Sequence, residues 1–208
     1  MKKIIIIGGG GHAKVLIALI HALGVYDIVG ILDSHLFNDS TVLGVPVVGR
    51  DEDMNKFFVQ GVYHVCIGVG SVKDNSVRTK LFFITKEIGF SFPLLVHPTA
   101  YIAEHVHLSE GAQVMAGAIL QPGVSVGENT IINTGAQLDH DCLIGANVHI
   151  APGVVFSGEC TVEDGAFVGV GATVIQGIHI GKKAVVAAGA VVVTDVPDGA
   201  TVKGVPAK

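Results

Sequence analysis

Tryptophan is absent from this chain, tyrosine and cysteine occur three times each, and only 15% of the residues are charged. Each scarcity excludes something. Three cysteines, Cys66, Cys142 and Cys160, do not make a disulfide framework. Half of the residues are hydrophobic, yet no stretch reaches the roughly 18 consecutive apolar residues of a membrane helix, so membrane insertion is not expected. Met1-Lys2-Lys3 followed by Ile4 to Ile7 imitates the start of a signal peptide. The apolar run stops at Gly8, however, which favours a cytoplasmic protein. A net charge of −5 without any basic cluster argues against a nucleic-acid partner. The 208 residues suffice for one large or two small domains.

What the chain does contain is a period. Every sixth residue from Ile102 to Val192 is aliphatic or Phe, through Leu108, Val114, Leu120, Val126, Ile132, Leu138, Ile144, Ile150, Phe156, Val162, Val168, Val174, Ile180 and Val186. The residue four places further on is small or aliphatic, as at Ala112, Ala118, Ala136, Cys142, Cys160, Ala166, Ala172, Ala184 and Ala190. A period of six is neither helical nor that of a simple strand. It is the mark of a parallel β-helix, in which short strands and turns stack into a prism. At three hexads per turn the run makes about five coils and a prism about 24 Å tall. Cys142 and Cys160, one coil apart at the small inward position, are expected to stack as buried hydrophobes.

The first hundred residues follow another grammar. Lys3 to Ile7 suggests a strand, His12 to Leu23 a helix ending at Gly24, and Asp27 to Leu32 a second strand. Residues 51–59 suggest a short helix, Tyr63 to Val69 a third strand, Asp74 to Ile88 a helix, and Phe92 to Val96 a fourth strand. Strands alternating with helices predict a Rossmann-like α/β domain with a parallel sheet that binds a ligand at the strands' carboxyl ends. His97-Pro98 marks the hinge, giving domains at 1–97 and 98–194, with 195–208 breaking the period as a tail that leaves the prism.

Gly8-Gly9-Gly10-Gly11-His12-Ala13 contains G-x-G-x-x-A between a strand and a helix, the context in which glycines let backbone N–H groups approach a phosphate. Asp33, at the end of the second strand, is placed to accept hydrogen bonds from a ribose or a base. The plain alternative is a tight turn without a ligand. No separate domain for a hydride acceptor is visible, so a nucleotide-bearing substrate fits better than a nicotinamide cofactor.

Among ten histidines, none shows the spacing of a closed zinc site, and no metal is expected. His140 is distinctive. It follows Leu138 by two places, at a corner, with Asp139 and Asp141 on either side. A carboxylate on one ring nitrogen fixes the tautomer and raises the basicity of the other, as a general base requires. His149, half a coil further, is a secondary candidate for ligand contact.

Three motifs in order, Gly8 to Lys14, Asn133-Thr134-Gly135 through Asp139-His140-Asp141-Cys142-Leu143-Ile144-Gly145, and Gly204-Val205-Pro206-Ala207-Lys208, resemble the NeuD/PglD/PerB type of bacterial sugar acyltransferases over essentially the whole chain. The resemblance implies a homotrimer of left-handed β-helices, with acetyl-CoA as co-substrate between neighbouring prisms and a nucleotide-linked amino sugar held by the N-terminal domain. It makes His140 the base and Asp141 its tuning acid, a place where Glu also occurs. Gly10, Gly11, His12, Asp33 and Gly68 match the segments touching the sugar nucleotide, and Ser34 falls where some relatives carry a second Asp. His149, Gly158, Val170 and Ala188 match acetyl-CoA contact positions. The implied reaction is acetylation of the 4-amino group of a UDP- or GDP-linked amino-deoxy sugar in surface glycan synthesis, by direct attack without an acyl-enzyme. O-acetylation of sialic acid or another sugar is the alternative. A hexapeptide protein of the carbonic-anhydrase branch, without transferase activity, stands further off.

Overall fold

The computed structural model describes residues 1–38, 40–71 and 74–208. The chain divides into two units, one of Met1–Ser71 with Ser76–Pro93, the other of Leu94–Lys208 with residues 74–75.

The first unit is an α/β layer. Strand β1 (Lys2–Ile7) leads through the glycines into helix α1 (Gly11–Leu23), and β2 (Tyr26–Leu32) follows. A hairpin of β3 (Thr41–Val42) and β4 (Val45–Gly49) comes next, then a 3-10 turn and α2 (Met54–Val59), β5 (His64–Ile67) and α3 (Ser76–Ile88). The sheet order is β3-β4-β2-β1-β5, parallel except for the β3–β4 pair. Strand β1 lies between β2 and β5, and Ile4 to Ile7 are fully buried, as a run apolar on both faces requires. Helix α1 buries Ala13, Leu16, Ile17, Leu19 and Ile20 at helical spacing and ends at Gly24, whose φ of 64° supplies the left-handed cap. The hairpin turns at Leu43-Gly44, where Leu43 has φ 50°. A leucine there gives no turn signal, which is why the sequence does not announce β3 and β4.

The second unit is a left-handed parallel β-helix of two-residue rungs in three sheets of six, five and seven strands. Rungs pair with those eighteen residues on, for example Leu138 with Phe156 and Ile144 with Val162. The ladder residue is the second of each rung and points inward: Val114, Leu120, Val126, Ile132, Leu138 and Ile150 are fully buried. Between rungs the small set fills the corners from within; Ala112, Ala136, Cys142, Cys160, Ala172 and Ala190 are also fully buried. A left-handed residue recurs at every sixth place of the turns, mostly glycine, with Asn129, Asp141 and Asn147 among the exceptions. Asn and Asp tolerate that region better than other side chains.

Both ends of the coil differ from expectation. Leu95–Val96, the end of the expected fourth strand, is instead a rung of the seven-stranded sheet, paired with Gln113–Val114. Phe92, three residues earlier, stays in the core of the α/β unit. Val96 lies six before Ile102, so the ladder begins one hexad earlier than the run that announced it. The tail does not leave the prism. Val196 bridges Ile180, and Thr201–Val202 pairs with Val185–Val186. The partner offset drops from eighteen to sixteen residues, which breaks the sequence period but leaves the backbone ladder intact. Ala207 then donates its N–H to Val191 O at 2.8 Å, covering the open end.

Candidate active site

The corner between the six-stranded and five-stranded sheets carries the dyad. His140 and Asp141 lie between the rungs Gln137–Leu138 and Leu143–Ile144. Asp139 Oδ1 accepts the His140 backbone N–H at 2.7 Å, while the imidazole Nδ1 lies 3.0 Å from Asp141 Oδ2. The two carboxylates thus divide the work: Asp139 holds the backbone and Asp141 holds the ring. A carboxylate only accepts, so Nδ1 carries the proton and Nε2 of the neutral ring is bare. Both side chains are exposed, at 55% and 64%. The hydrogen bond to Asp141 raises the His140 pKa above its ordinary value; slight desolvation opposes this, and the charges of Asp139, Asp141 and Glu159 add to the rise. Asp141 occupies the left-handed place of its turn with φ 58°, so one residue closes the corner and holds the His140 ring.

Gly158, expected as a cofactor contact, lies one coil beyond His140. A Cβ built there would be 2.5 Å from His140 Cε1 and Nε2. It therefore floors the imidazole. Val170 and Ala188, also one coil apart, sit at a different corner, between the seven-stranded and six-stranded sheets; Val170 is 55% exposed. His149 lies in a rung of the seven-stranded sheet and is buried, its Nε2 3.0 Å from Asn133 Nδ2 and its ring edge-on to Phe167. The positions matched to acetyl-CoA contacts thus fall on two corners and one face of a single prism. One side of the prism spans at most about 20 Å by chain length.

In the α/β unit the glycines separate into two kinds. Gly8 has φ 93° and would bring a Cβ to 2.5 Å from Val69 Cγ2; at Gly9 a Cβ would run into Leu36; at Gly68 it would overlap Gly8 O and stand 3.0 Å from Ala13 Cβ. Backbone and packing together demand glycine at Gly8, and backbone contact demands it at Gly68, whereas at Gly9 the obstacle is the movable end of the Leu36 side chain. At Gly10 and Gly11 a Cβ meets nothing within 4 Å. Gly10 is the N-cap of α1 with φ −75° and makes no side-chain cap bond. Neither backbone conformation nor packing requires glycine at position 10, and its open surface leaves the helix amino terminus approachable. His12 follows in the first turn and packs on Gly70, where a Cβ would come within 3.2 Å of His12 Cβ.

Asp33 ties this loop to the end of β2. Its Oδ2 accepts from Gly9 N at 2.7 Å, and its Oδ1 accepts from His35 N at 2.8 Å and Leu36 N at 3.0 Å. Partial burial would raise its pKa, but the three N–H donors outweigh that and hold the carboxyl below its ordinary value. Ser34 bonds the carboxyl of Asp51, whose pKa burial nonetheless raises. Both line a cavity of about 360 Å³ with Met54, Lys80, Leu81 and Ile84. Asp51 was not among the expected site residues, and nothing in its local sequence marks it. Arg78, buried on α3, donates from Nη1 to Ile67 O and Val69 O at 2.8 and 3.1 Å, bracing the end of β5; burial lowers its pKa to about 9. Among the described residues no group of three or more His, Cys, Asp or Glu could hold a metal ion, and no helix is long and apolar enough to cross a membrane.

Known proteins match both units. Residues 3–83 match the PglD N-terminal domain, 123–158 the bacterial transferase hexapeptide (six repeats) and 159–194 the hexapeptide repeat of succinyl-transferase. No curated protein sequence matches the chain. Among solved structures, a histidine-to-alanine mutant of GDP-perosamine N-acetyltransferase from Caulobacter crescentus, in complex with CoA and GDP-perosamine, is 41% identical with a TM-score of 0.94, over 100% of this chain and 96% of that one. The acetyltransferase domain of PglB from Neisseria gonorrhoeae FA1090 is 36% identical with a TM-score of 0.93, over 100% and 99%. WeeI from Acinetobacter baumannii AYE is 26% identical with a TM-score of 0.86, over 100% and 99%. The chain belongs to the hexapeptide-repeat sugar acetyltransferases with a PglD-type N-terminal domain, the NeuD/PglD/PerB type.

Proposed function

We propose that this protein transfers the acetyl group of acetyl-CoA to the 4-amino group of a nucleotide-linked amino-deoxy sugar, UDP- or GDP-linked, for bacterial surface glycan synthesis. The observation that carries the reading is the exposed His140–Asp141 pair, with Nδ1 at 3.0 Å from the carboxylate and Nε2 bare. Likeness to a GDP-perosamine N-acetyltransferase at 41% identity supports the substrate class. The open amides at Gly10 and Gly11 support a diphosphate on the α1 amino terminus.

The chemistry needs little else. Nε2 of neutral His140 takes a proton from the sugar amine as the nitrogen lone pair forms a bond to the thioester carbonyl carbon. The tetrahedral intermediate collapses, the C–S bond breaks, and the imidazolium returns the proton to the CoA sulfur. Asp141 stabilises the imidazolium between these steps. Positioning two bound substrates against one base supplies much of the acceleration. No acyl-enzyme is needed.

The working form is a homotrimer in the cytoplasm. His140 with Gly158, and Val170 with Ala188, sit on different corners of one prism. Copies packed side by side bring unlike corners together, so one elongated cofactor in the cleft can touch both sets. Acetyl transfer measured across a panel of UDP- and GDP-4-amino sugars, CMP-sialic acid and free sialic acid tests the proposal. Turnover confined to an amino-sugar nucleotide is expected; turnover of sialic acid alone replaces N-acetylation by O-acetylation.

A further inference from the structure

The turns one coil to either side of the dyad carry glycine where the dyad's side chains come to rest. At Gly158 an ideal Cβ falls 2.5 Å from His140 Cε1 and Nε2 and 3.0 Å from Cδ2, where ordinary contact is 3.4–4 Å. The backbone does not ask for glycine there, since the φ of Gly158 lies outside the left-handed region. Nor does the place in the coil: the same column holds Glu104, Pro122, His140 and Gln176 at intervals of eighteen. On the other side, a Cβ at Gly123 would overlap Asp141 Oδ1 and lie 3.3 Å from its Cγ. Gly123 has a second reason for being glycine, a φ of 80°; Gly158 has only the ring.

We infer that Gly158 is a positioning residue for the general base, the seat that fixes the His140 imidazole against Asp141, with Gly123 the matching seat for the carboxylate. This rests on His140 being the base. A methyl at 158 would drive the ring away from that coil by about 1 Å to regain ordinary contact, the scale of misplacement that costs about a hundredfold in rate. The carboxylate has no room to give way toward the preceding coil, because Oδ1 already rests on Gly123, so a ring pressed from the Gly158 side is squeezed outward. The ring therefore parts from the bond that orients it.

The test is Gly158→Ala, read in three ways. Turnover is expected to fall about a hundredfold. The acidic limb of the pH–kcat profile, and the NMR titration of the His140 ring, are expected to move to lower pH, because Asp141 is lost as partner. The remaining groups around the ring, Asp139 and Glu159, are unchanged. Third, the thermal cost of Gly158→Ala is expected to shrink when His140 is also replaced by Ala, because the clash is with the ring; this reading needs no activity. A Gly158→Ala enzyme with a raised KM for acetyl-CoA but wild-type kcat and an unmoved His140 titration would overturn the inference, leaving Gly158 as cofactor wall only. An equal thermal cost with and without the imidazole would also overturn it. His140→Ala assayed alongside separates the two levels: full activity there removes the base itself, whereas its inactivity beside an unperturbed Gly158→Ala removes only the seat.

Discussion

Replacing Gly10 by Ala separates the two kinds of glycine in the loop. A Cβ at position 10 meets no protein atom within 4 Å, and φ of −75° suits any L-residue. The folding cost is therefore confined to a poorer helix cap, about 1 kcal/mol or less. Gly68→Ala is the contrast: its Cβ would overlap Gly8 O and press on Ile6 and Ala13. Overpacking of that kind costs about 1–3 kcal/mol, which lowers Tm by about 2–4 °C per kcal/mol for a chain of this size. Ligand affinity is expected to behave in the opposite sense at position 10. A methyl in front of the α1 amino terminus removes a charge-assisted hydrogen bond to phosphate, about 1.5–3 kcal/mol, or roughly tenfold to a hundredfold in Kd. Calorimetric titration with GDP and UDP, beside thermal melts of both variants, checks the pair. Gly10→Ala binding the nucleotide as tightly as wild type would refute the idea that the open glycines exist for phosphate approach.

Asp141→Asn removes the carboxylate charge from the bond that lifts the His140 pKa above the ordinary 6.5. Base catalysis needs the neutral ring, so wild-type activity should rise with pH through a value above 6.5, and the variant's rise should come at lower pH with a reduced plateau; a pH–kcat series measures both. Phe156, almost wholly buried in its coil, should lose about 3–5 kcal/mol of stability on truncation to Ala, seen as a lower urea midpoint. Cys142 is fully buried, and contact with Cys160 together with burial pushes its thiol pKa up, so it stays protonated. Cys142→Ala should keep its turnover, and mass spectra during turnover should show no acetyl-cysteine.

The prism was legible because its rule is repetitive: one inward residue per six, with small residues at the corners. Its ends were not, because two rungs of sequence fall outside the uninterrupted run. Val96 is hidden behind the hinge at Pro98, and Val202 behind a turn two residues short. Backbone pairing tolerates such slips where a periodic count does not. The dyad was legible by adjacency, but that Asp141 rather than Asp139 holds the ring depends on side-chain direction at the corner. Gly158 meets His140 only through the eighteen-residue coil, so its role in seating the ring needs coordinates. Likewise four consecutive glycines look alike in sequence, and only coordinates show that Gly8 and Gly9 have neighbours where a Cβ would go while Gly10 and Gly11 face open space. Asp33 was correctly located at the end of β2, though backbone N–H groups already engage both of its oxygens.

The most direct test of the whole account is the rate of acetyl transfer from acetyl-CoA to a GDP- or UDP-linked 4-amino sugar by wild type and His140→Ala. Turnover by the wild type, and a fall of about a hundredfold or more in kcat with acetyl-CoA binding retained in the variant, is the predicted result. A His140→Ala enzyme that turns over at the wild-type rate would contradict it.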